Sequence, residues 1–393
     1  MKMSPDVINY KSKKNMKSFH CHRIEDVRHP PAWRPLLYGL MVIGLSVPSE
    51  SALKRMLLRV SQSIWRLVLL FLFVDNTYEV LTMLERKRVI LLVDTLFLIL
   101  LVYFMDRNLW KLVKYFERME SRAHSWENSF KPWSWISCFF VIAYNVASFT
   151  NVLIFIMNKG YNCPALTDLL FLIRGWPLAI KVVNILFQIA IISRTFLANY
   201  APTMIALVCC FTLKMERKVL QHQNSRIAQR LGKGLSDDSF AEAARMIHET
   251  SSLLQSVTQS MSLVILILIS YWISNIFVCI TNILQRNTFG LQIQVFLTCV
   301  VLIFSSMFAY LAHLASNVRH EYLSLKDQLL SVAESDSRLF EKTSVAANLE
   351  LLGRIHEGMA VKTLVTPLEM FTVDSKLILT VLGTVITYSV LIF

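Results

Sequence analysis

Charged residues and glycines are both scarce in this sequence. Only 17% of its 393 residues are charged and ten are glycine, whereas 54% are hydrophobic. Soluble globular proteins carry about 25% charged residues, so this composition excludes an ordinary soluble multidomain protein. It predicts an integral membrane protein.

Cysteine motifs and a signal peptide are also lacking. The seven cysteines show no CxxC spacing, and most lie in apolar segments, where a buried cysteine acts as a small hydrophobic residue. Cys163 lies in a short polar loop, so it either pairs with Cys279, if that loop is extracellular, or stays a free thiol. Residues 1–34 are polar and basic, which predicts a flexible cytoplasmic tail and leaves the first span as the insertion signal.

The motifs of common enzymes are missing as well. Three His-Glu pairs begin like zinc-protease motifs, but positions 252, 324 and 360 hold no second histidine, and no glycine-rich phosphate loop is present. We therefore expect no enzymatic activity, no metal site and no other cofactor. The net charge of +13 does not indicate nucleic acid, because the basic residues lie between apolar runs and not along one soluble face.

Seven apolar segments are candidates for membrane-spanning helices. They cover residues 64–84, 89–105, 133–157, 177–213, 262–280, 291–314 and 377–393. A span needs about 20 residues, so the fourth segment is too long for one span and too short for two. We interpret it as one helix that continues beyond the membrane. Residues 35–48 are too short to span and are closed by prolines, which favours an interfacial or re-entrant segment.

Amphipathic helices are predicted between the spans. After a break at Gly232 and Gly234, apolar residues repeat at helical spacing and lead directly into the fifth span. These are Phe240, Ala244, Ile247, Leu254, Val257 and Met261. A second charged stretch, 316–369, is marked by Leu323, Leu330, Leu352, Ile355 and Met359. We expect these helices to pack together as one internal domain.

Lysine and arginine lie almost entirely on one side of the predicted spans. In the tail and the connecting segments, 31 of them fall on the side of the N-terminus and 6 on the other side. The positive-inside rule then places the N-terminus in the cytoplasm, and seven spans place Phe393 outside. The helical extensions are cytoplasmic in this arrangement, which is opposite to that of a G-protein-coupled receptor.

Three stretches of the sequence resemble the insect gustatory receptor family. The first is RPLLYGLMVIGLSVP at 34–48, and the second is Thr366-Pro367 with FTVDSKLIL at 371–379. The third is Thr387-Tyr388 followed by apolar residues up to Phe393, similar to the family pattern TYhhhhhQF, in which h is apolar. The glutamine of that pattern has no counterpart here, so a gating role assigned through it does not carry over.

The resemblance implies a tetrameric, ligand-gated, non-selective cation channel in the plasma membrane of sensory neurons. Residues 35–370 would form six spans with a ligand pocket and interleaved cytoplasmic helices, and residues 371–393 would form the pore helix. The expected partners are a small-molecule tastant, the lipid bilayer, permeant cations, and identical or related receptor subunits. The related odorant receptors share this architecture.

The last segment carries the candidate pore residues. Thr380, Thr384 and Thr387 follow the spacing of one helical face, which Leu391 extends. Four such faces around an axis would supply rings of hydroxyls, and Val390, Leu391 and Phe393 are candidate gates that act by dewetting. The alternative is that each threonine only bonds its own helix or a neighbouring helix.

Polar residues in the outer half of the spans are candidates for the ligand pocket, because a polar group in hydrocarbon must face a partner or a cavity. They are Asp94, Asn145, Asn151, Lys181, Asn184, Gln188, Trp272 and Asn275. The alternative is that they only bond one helix to another. A metabotropic receptor with seven spans and a secondary transporter are rival classes, but the chain lacks an NPxxY motif and visible repeat symmetry. The ligand stays open.

Overall fold

The computed structural model describes residues 33–45, 52–83, 86–122, 127–159, 177–231, 237–284, 291–335, 350, 352–354, 377, 380–381, 383–385 and 387–388. Within the helices, some side chains also lie outside the described set. Seven helices are delimited: α1 (Arg34–Val42), α2 (Ala52–Met83), α3 (Arg86–Arg122), α4 (Glu127–Lys159), α5 (Pro177–Leu231), α6 (Asp237–Leu284) and α7 (Leu291–Ser335). The described residues near the C-terminus are helical.

The long helices α2 to α7 form one bundle. α3 packs against α2 and α6, α5 packs against α4, α6 and α7, and α6 packs against α7. Asn108 on α3 donates to the Ser260 carbonyl oxygen on α6 at 2.9 Å, and Asn76 on α2 donates to Thr95 on α3 at 2.6 Å. The end of the bundle at Met83 and Arg86 is called the α2–α3 end, and the end at Arg122 and Glu127 is called the α3–α4 end.

The short helix α1 is wedged into the bundle and does not span it. Leu36, Leu37 and Leu40 are buried, and α1 packs against α4 and α5. The helix ends at Val42, and Gly44 follows two residues later with a φ of +78°, which suits a residue without a side chain. With nine residues, α1 is too short to cross a membrane, and the interfacial or re-entrant placement of the segment stays a prediction.

The fourth apolar segment is one continuous helix, as the sequence predicts. α5 runs over 55 residues and ends at Leu231, directly before Gly232. On α6, five of the six predicted stripe residues are buried. Ala244 is only half-buried, and its neighbour Ala243 takes the buried position.

Residues 106–122, which follow the second predicted span, continue α3, and α4 begins at Glu127. One prediction about the helical extensions was wrong. Leu323 is exposed, whereas Val318 and Tyr322 form the buried face of α7. A tyrosine can bury its aromatic ring while its hydroxyl stays near polar groups. The prediction followed the spacing of leucines only, so it overlooked Tyr322. Leu352 is buried as predicted, and Leu330, Ile355 and Met359 lie outside the described side chains.

Three helical segments are long and apolar enough to cross a membrane, among the residues with described side chains. They are Phe196–Leu231, Asp238–Leu284 and Gln294–Ser324. A shorter apolar helical segment covers Pro132–Ala147. The chain is therefore a multi-pass membrane protein by length and composition, while the count of seven spans and their orientation stay predictions.

Candidate ligand site and pore-lining face

A group of buried polar side chains lies between α3, α4 and α6 toward the α2–α3 end of the bundle. Asp94 of α3 and Tyr144 of α4 lie within electrostatic range of the Tyr271 hydroxyl on α6. Asn145, the neighbour of Tyr144, is also buried. The structure thus brings Asp94 together with the part of α6 that contains the predicted residues Trp272 and Asn275.

Trp272 faces a different neighbour from Tyr271. Its side chain is fully buried, and its ring centroid lies 6.4 Å from that of Phe308 on α7. The indole Nε1–H makes no hydrogen bond within the described part of the chain. A buried donor without an acceptor is unfavourable by about 1–3 kcal/mol, which marks this position as one that an added acceptor would stabilise.

The two predicted asparagines each make one hydrogen bond within their own helix. Asn145 Nδ2 donates to the Val141 carbonyl oxygen at 2.8 Å, and Asn275 Nδ2 donates to the Tyr271 carbonyl oxygen at 2.9 Å. Asn145 Oδ1 is buried and accepts no hydrogen bond from any described residue. These two bonds stay within one helix and do not join two helices, and the Asn145 oxygen has no donor among the described residues.

The remaining pocket candidates lie outside what the structure describes. For Asn151, Lys181, Asn184 and Gln188, only the helical backbone is described. Cys279 is a buried free thiol, and Cys163, its possible partner, lies outside the described residues.

The sequence interpretation missed Tyr271, which joins two helices of the bundle. Its hydroxyl donates to the Ala198 carbonyl oxygen on α5 at 2.6 Å. The available signal was Pro202, four residues after Ala198, because a proline inside a helix removes the N–H that this carbonyl would otherwise accept.

The C-terminal segment presents its threonines away from the bundle. Thr380, Thr384 and Thr387 are exposed, while Val385 is buried. Leu377 and Val381 are half-buried and pack against the same hydrophobic core as Val385. One face of this segment is therefore attached to the bundle, and the three threonines lie on a neighbouring face that is exposed.

The threonine hydroxyls are both exposed and bonded to their own helix. Thr384 Oγ1 donates to the Thr380 carbonyl oxygen at 2.7 Å, and Thr387 Oγ1 donates to the Gly383 carbonyl oxygen at 2.8 Å. Each hydroxyl oxygen keeps acceptor capacity toward the outside of the chain. Tyr388 of the family motif is also exposed. Val390, Leu391 and Phe393 lie outside the described residues.

A second polar group is buried between the helical extensions at the α3–α4 end. Glu216 on α5 is almost fully buried and accepts a hydrogen bond from Thr258 on α6 at 3.3 Å. Burial, together with the nearby Glu216 and Tyr322, raises the pKa of the Tyr115 phenol well above its ordinary value. Tyr115 is therefore a neutral phenol in this cluster at physiological pH.

The fold is similar to that of a solved insect chemoreceptor. The insect olfactory receptor OR5 from Machilis hrabei matches with a TM-score of 0.62 and 12% sequence identity, over 92% of this chain and 97% of that chain. The same receptor in complex with eugenol matches with a TM-score of 0.60 and 10% identity, over 92% of this chain and 96% of that chain. The sequence matches no protein-family model and no curated protein. At this identity the likeness shows a shared fold.

Proposed function

We propose that this chain is a subunit of a small-molecule-gated cation channel, a chemosensory receptor of the gustatory type. The single observation that carries the proposal is the likeness of the fold to an insect olfactory receptor over 92% of this chain. That receptor was also solved in complex with eugenol, which supports a small molecule as the ligand of this chain too. The gustatory subtype rests on the three sequence stretches that resemble that family.

We place the ligand site at the buried polar group between α3, α4 and α6 and extend it to Trp272, which lies on the side of α6 that faces α7. The Trp272 indole N–H can donate to a ligand, and Asn145 Oδ1 can accept from one, since both atoms are buried without a partner among the described residues. Asp94 adds an ionisable group close to α6. A small molecule with both a donor and an acceptor therefore fits this chemistry better than a pure hydrocarbon does.

The threonine face of the C-terminal segment is the proposed pore lining. Four copies around an axis would place rings of Thr380, Thr384 and Thr387 hydroxyls on the ion path, without fixed charge. Such a lining suits weakly selective passage of hydrated cations. The face is exposed in the single chain, as expected of a surface that water or a neighbouring subunit covers in the assembly.

Gating follows from differential binding. A tastant that binds the open state more tightly than the closed state shifts the equilibrium toward the open state, by no more than the difference in affinity.

The proposal includes an orientation and an assembly. The N-terminal tail is cytoplasmic and Phe393 is extracellular. The subunits form homotetramers or heterotetramers in the plasma membrane of a sensory neuron.

Cysteine accessibility in whole-cell recordings tests the proposal. The full chain, alone and with related subunits, is expressed in a cell line and screened with sugars and bitter compounds. In a responding combination, a charged thiol reagent should block the current of Thr384→Cys. It should not affect the matched variant Val385→Cys, whose side chain is buried against the bundle.

Three outcomes would contradict parts of the proposal. If Thr384→Cys and wild type respond equally to the reagent, the threonine face does not line the ion path. If ligand responses require a G protein and produce no direct current, the chain is a metabotropic receptor. A tag after Phe393 that is accessible on intact cells supports the proposed orientation, and an inaccessible tag opposes it.

A further inference from the structure

A groove separate from the candidate ligand site runs between the end of α1, α2 and α3. Its volume is about 610 Å³. The apolar wall includes Ile43, Trp65, Leu69, Phe73, Leu96 and Ile99. Leu70, Leu96 and Tyr103 also line the groove and are exposed, so the groove opens to the outside of the bundle. It therefore faces the surroundings of the helices and not their common core.

One end of the groove is charged. Arg66 of α2 and Asp106 of α3 line this end, with Arg66 Nη2 lying 3.7 Å from Asp106 Oδ2. That separation is within the range of an ion pair but too long for a hydrogen bond, so Arg66 Nη2 does not donate to Asp106 Oδ2. The Arg66 side chain is 72% exposed, which leaves it accessible from outside.

The ion pair lies next to a long uncharged stretch of α2. Arg66 is the last charged residue before residues 67–74, which carry no charge, and the exposed residues of that stretch include Leu67, Leu70 and Val74. Before Arg66, the exposed positions mix Arg59 with apolar residues. The start of such an uncharged stretch marks the edge of the hydrocarbon on a membrane helix, and a long basic side chain at this level reaches the headgroups.

The apolar part of the groove has the length of one leaflet. At about 1.5 Å of rise per residue, Leu96 lies about 15 Å along α3 from Asp106. The hydrocarbon core of a bilayer is about 30 Å thick, so this distance is about half of it. A groove with a charged end and an apolar length of one leaflet matches one phospholipid molecule.

We propose that this groove binds one phosphatidylethanolamine molecule from the leaflet on the basic side of the protein. The lipid phosphate accepts hydrogen bonds from the Arg66 guanidinium, and its ammonium lies toward the Asp106 carboxylate. The two opposite charges of the headgroup thus meet the two opposite charges of the ion pair. One acyl chain follows the apolar wall past Leu69 and Phe73. The proposal requires a membrane protein but does not depend on channel activity.

Native mass spectrometry of the full-length protein in detergent tests this site. The protein is titrated with palmitoyl-oleoyl phosphatidylethanolamine and, in parallel, with the diacylglycerol that carries the same chains and no headgroup. We expect one phospholipid to stay bound and the diacylglycerol to bind about tenfold more weakly, because hydrogen bonds to charged groups contribute about that factor. Arg66→Gln should weaken phospholipid binding by a similar factor.

Two matched pairs separate the groove from the general surface. Arg59→Gln removes an exposed arginine of the same helix that does not line the groove, and it should leave the lipid bound. Leu96→Trp fills the groove and should abolish retention, whereas Val93→Trp, at an exposed position of α3 outside the groove, should not. Elution as a single peak on size exclusion is required of every variant.

Three results would overturn the proposal. Equal binding of diacylglycerol and phospholipid would make the groove a site for apolar ligands in general. Equal loss in Arg59→Gln and Arg66→Gln would reduce the effect to surface charge. Retention of the lipid in Leu96→Trp would place it elsewhere on the protein, or in a contact between two copies of the chain.

Discussion

Tyr271 on α6 donates its hydroxyl to the Ala198 carbonyl oxygen on α5, with the two oxygens 2.6 Å apart. Pro202 lies inside α5 and has no N–H, so the carbonyl four residues earlier lacks its usual donor in the helix. The two helices run past each other within the apolar core, where water cannot take the place of that donor. Tyr271 supplies it instead, which allows a 55-residue helix to continue through a proline.

A coupled pair of substitutions tests this relationship. Tyr271→Phe removes the donor and leaves the Ala198 carbonyl buried without a partner, which should lower the stability by about 1–3 kcal/mol. In the background Pro202→Ala, the restored N–H bonds the same carbonyl, and the effect of Tyr271→Phe should largely disappear. Thermal unfolding of the purified protein in detergent measures all four variants of the cycle.

The exposed Tyr103→Phe is the matched control for the loss of a hydroxyl, and its melting temperature should stay that of the wild type. If Tyr271→Phe has the same effect with and without Pro202, the hydroxyl does not serve the Ala198 carbonyl.

The sequence predicts which residues form helices, but it does not predict which residues of different helices contact each other. The length of the fourth apolar segment predicted one helix, and α5 runs as one helix from Pro177 to Leu231. The contact between Tyr271 and Ala198 joins residues 73 positions apart, and no local spacing encodes such a pair. The likeness to the gustatory receptors likewise indicated the architecture, but it gave no sign of the groove at Arg66.

For the C-terminal segment, too, the sequence predicts a local feature but not how that feature lies relative to the bundle. The spacing of Thr380, Thr384 and Thr387 was enough to predict one common face. Which way that face points depends on the docking of Leu377, Val381 and Val385 against the core, and that is a property of the bundle. The sequence could therefore define the threonine face but not show that it is exposed.

Gly44 connects α1 to the side of α2, and a side chain at this position has no space. Its φ is +78°, and an added Cβ would lie 2.9 Å from Trp65 Cδ1 and 3.0 Å from Gln62 Cα. The contact with backbone leaves little room for relaxation. We expect Gly44→Ala to lower the stability by about 1–3 kcal/mol, from the left-handed backbone and the steric overlap together.

Trp65 also donates its indole N–H to the Val42 carbonyl oxygen at 2.8 Å, so displacement of its ring would loosen the end of α1. Limited proteolysis near residue 45 and thermal unfolding report this change. Gly353→Ala is the matched control, because an added Cβ there meets nothing within 4 Å and its φ is not positive. Equal effects of the two substitutions would contradict the steric explanation.

The helical extensions are tied together through the carboxylate of Glu321 on α7. Its Oε1 atom accepts hydrogen bonds from Arg217 Nε at 3.1 Å and from Gln221 Nε2 at 2.6 Å, both on α5. Glu321→Ala removes both contacts, and we expect a loss of about 1–3 kcal/mol of stability, moderated by the solvent exposure of Arg217. The melting temperature in detergent gives the comparison.

Glu249→Ala provides the control for the loss of a carboxylate. Glu249 pairs with Arg245 on the exposed side of α6, where an ion pair contributes about 0.5 kcal/mol or less. If Glu249→Ala destabilises as strongly as Glu321→Ala, the burial of Glu321 is not the source of the effect. High salt should weaken the contribution of Glu249 more than that of Glu321.

The buried indole of Trp272 allows ligand binding and stability to be separated. Trp272→Phe keeps an aromatic ring against Phe308 but removes an N–H that no described residue accepts. The smaller ring leaves a cavity that destabilises the unliganded protein, and the removal of an unsatisfied buried donor offsets part of that loss, so we expect a decrease in stability of about 1 kcal/mol or less. If the ligand accepts a hydrogen bond from this N–H, the half-activating concentration of an agonist should rise about threefold to tenfold.

The exposed Trp135→Phe is the matched control in both measurements, and it should change neither. A structural role alone predicts that Trp272→Phe lowers the melting temperature and leaves the half-activating concentration unchanged. That result would remove Trp272 from the ligand site. A threefold to tenfold increase in the half-activating concentration, together with a loss of stability of about 1 kcal/mol or less, indicates a contact of the indole that exists only in the complex.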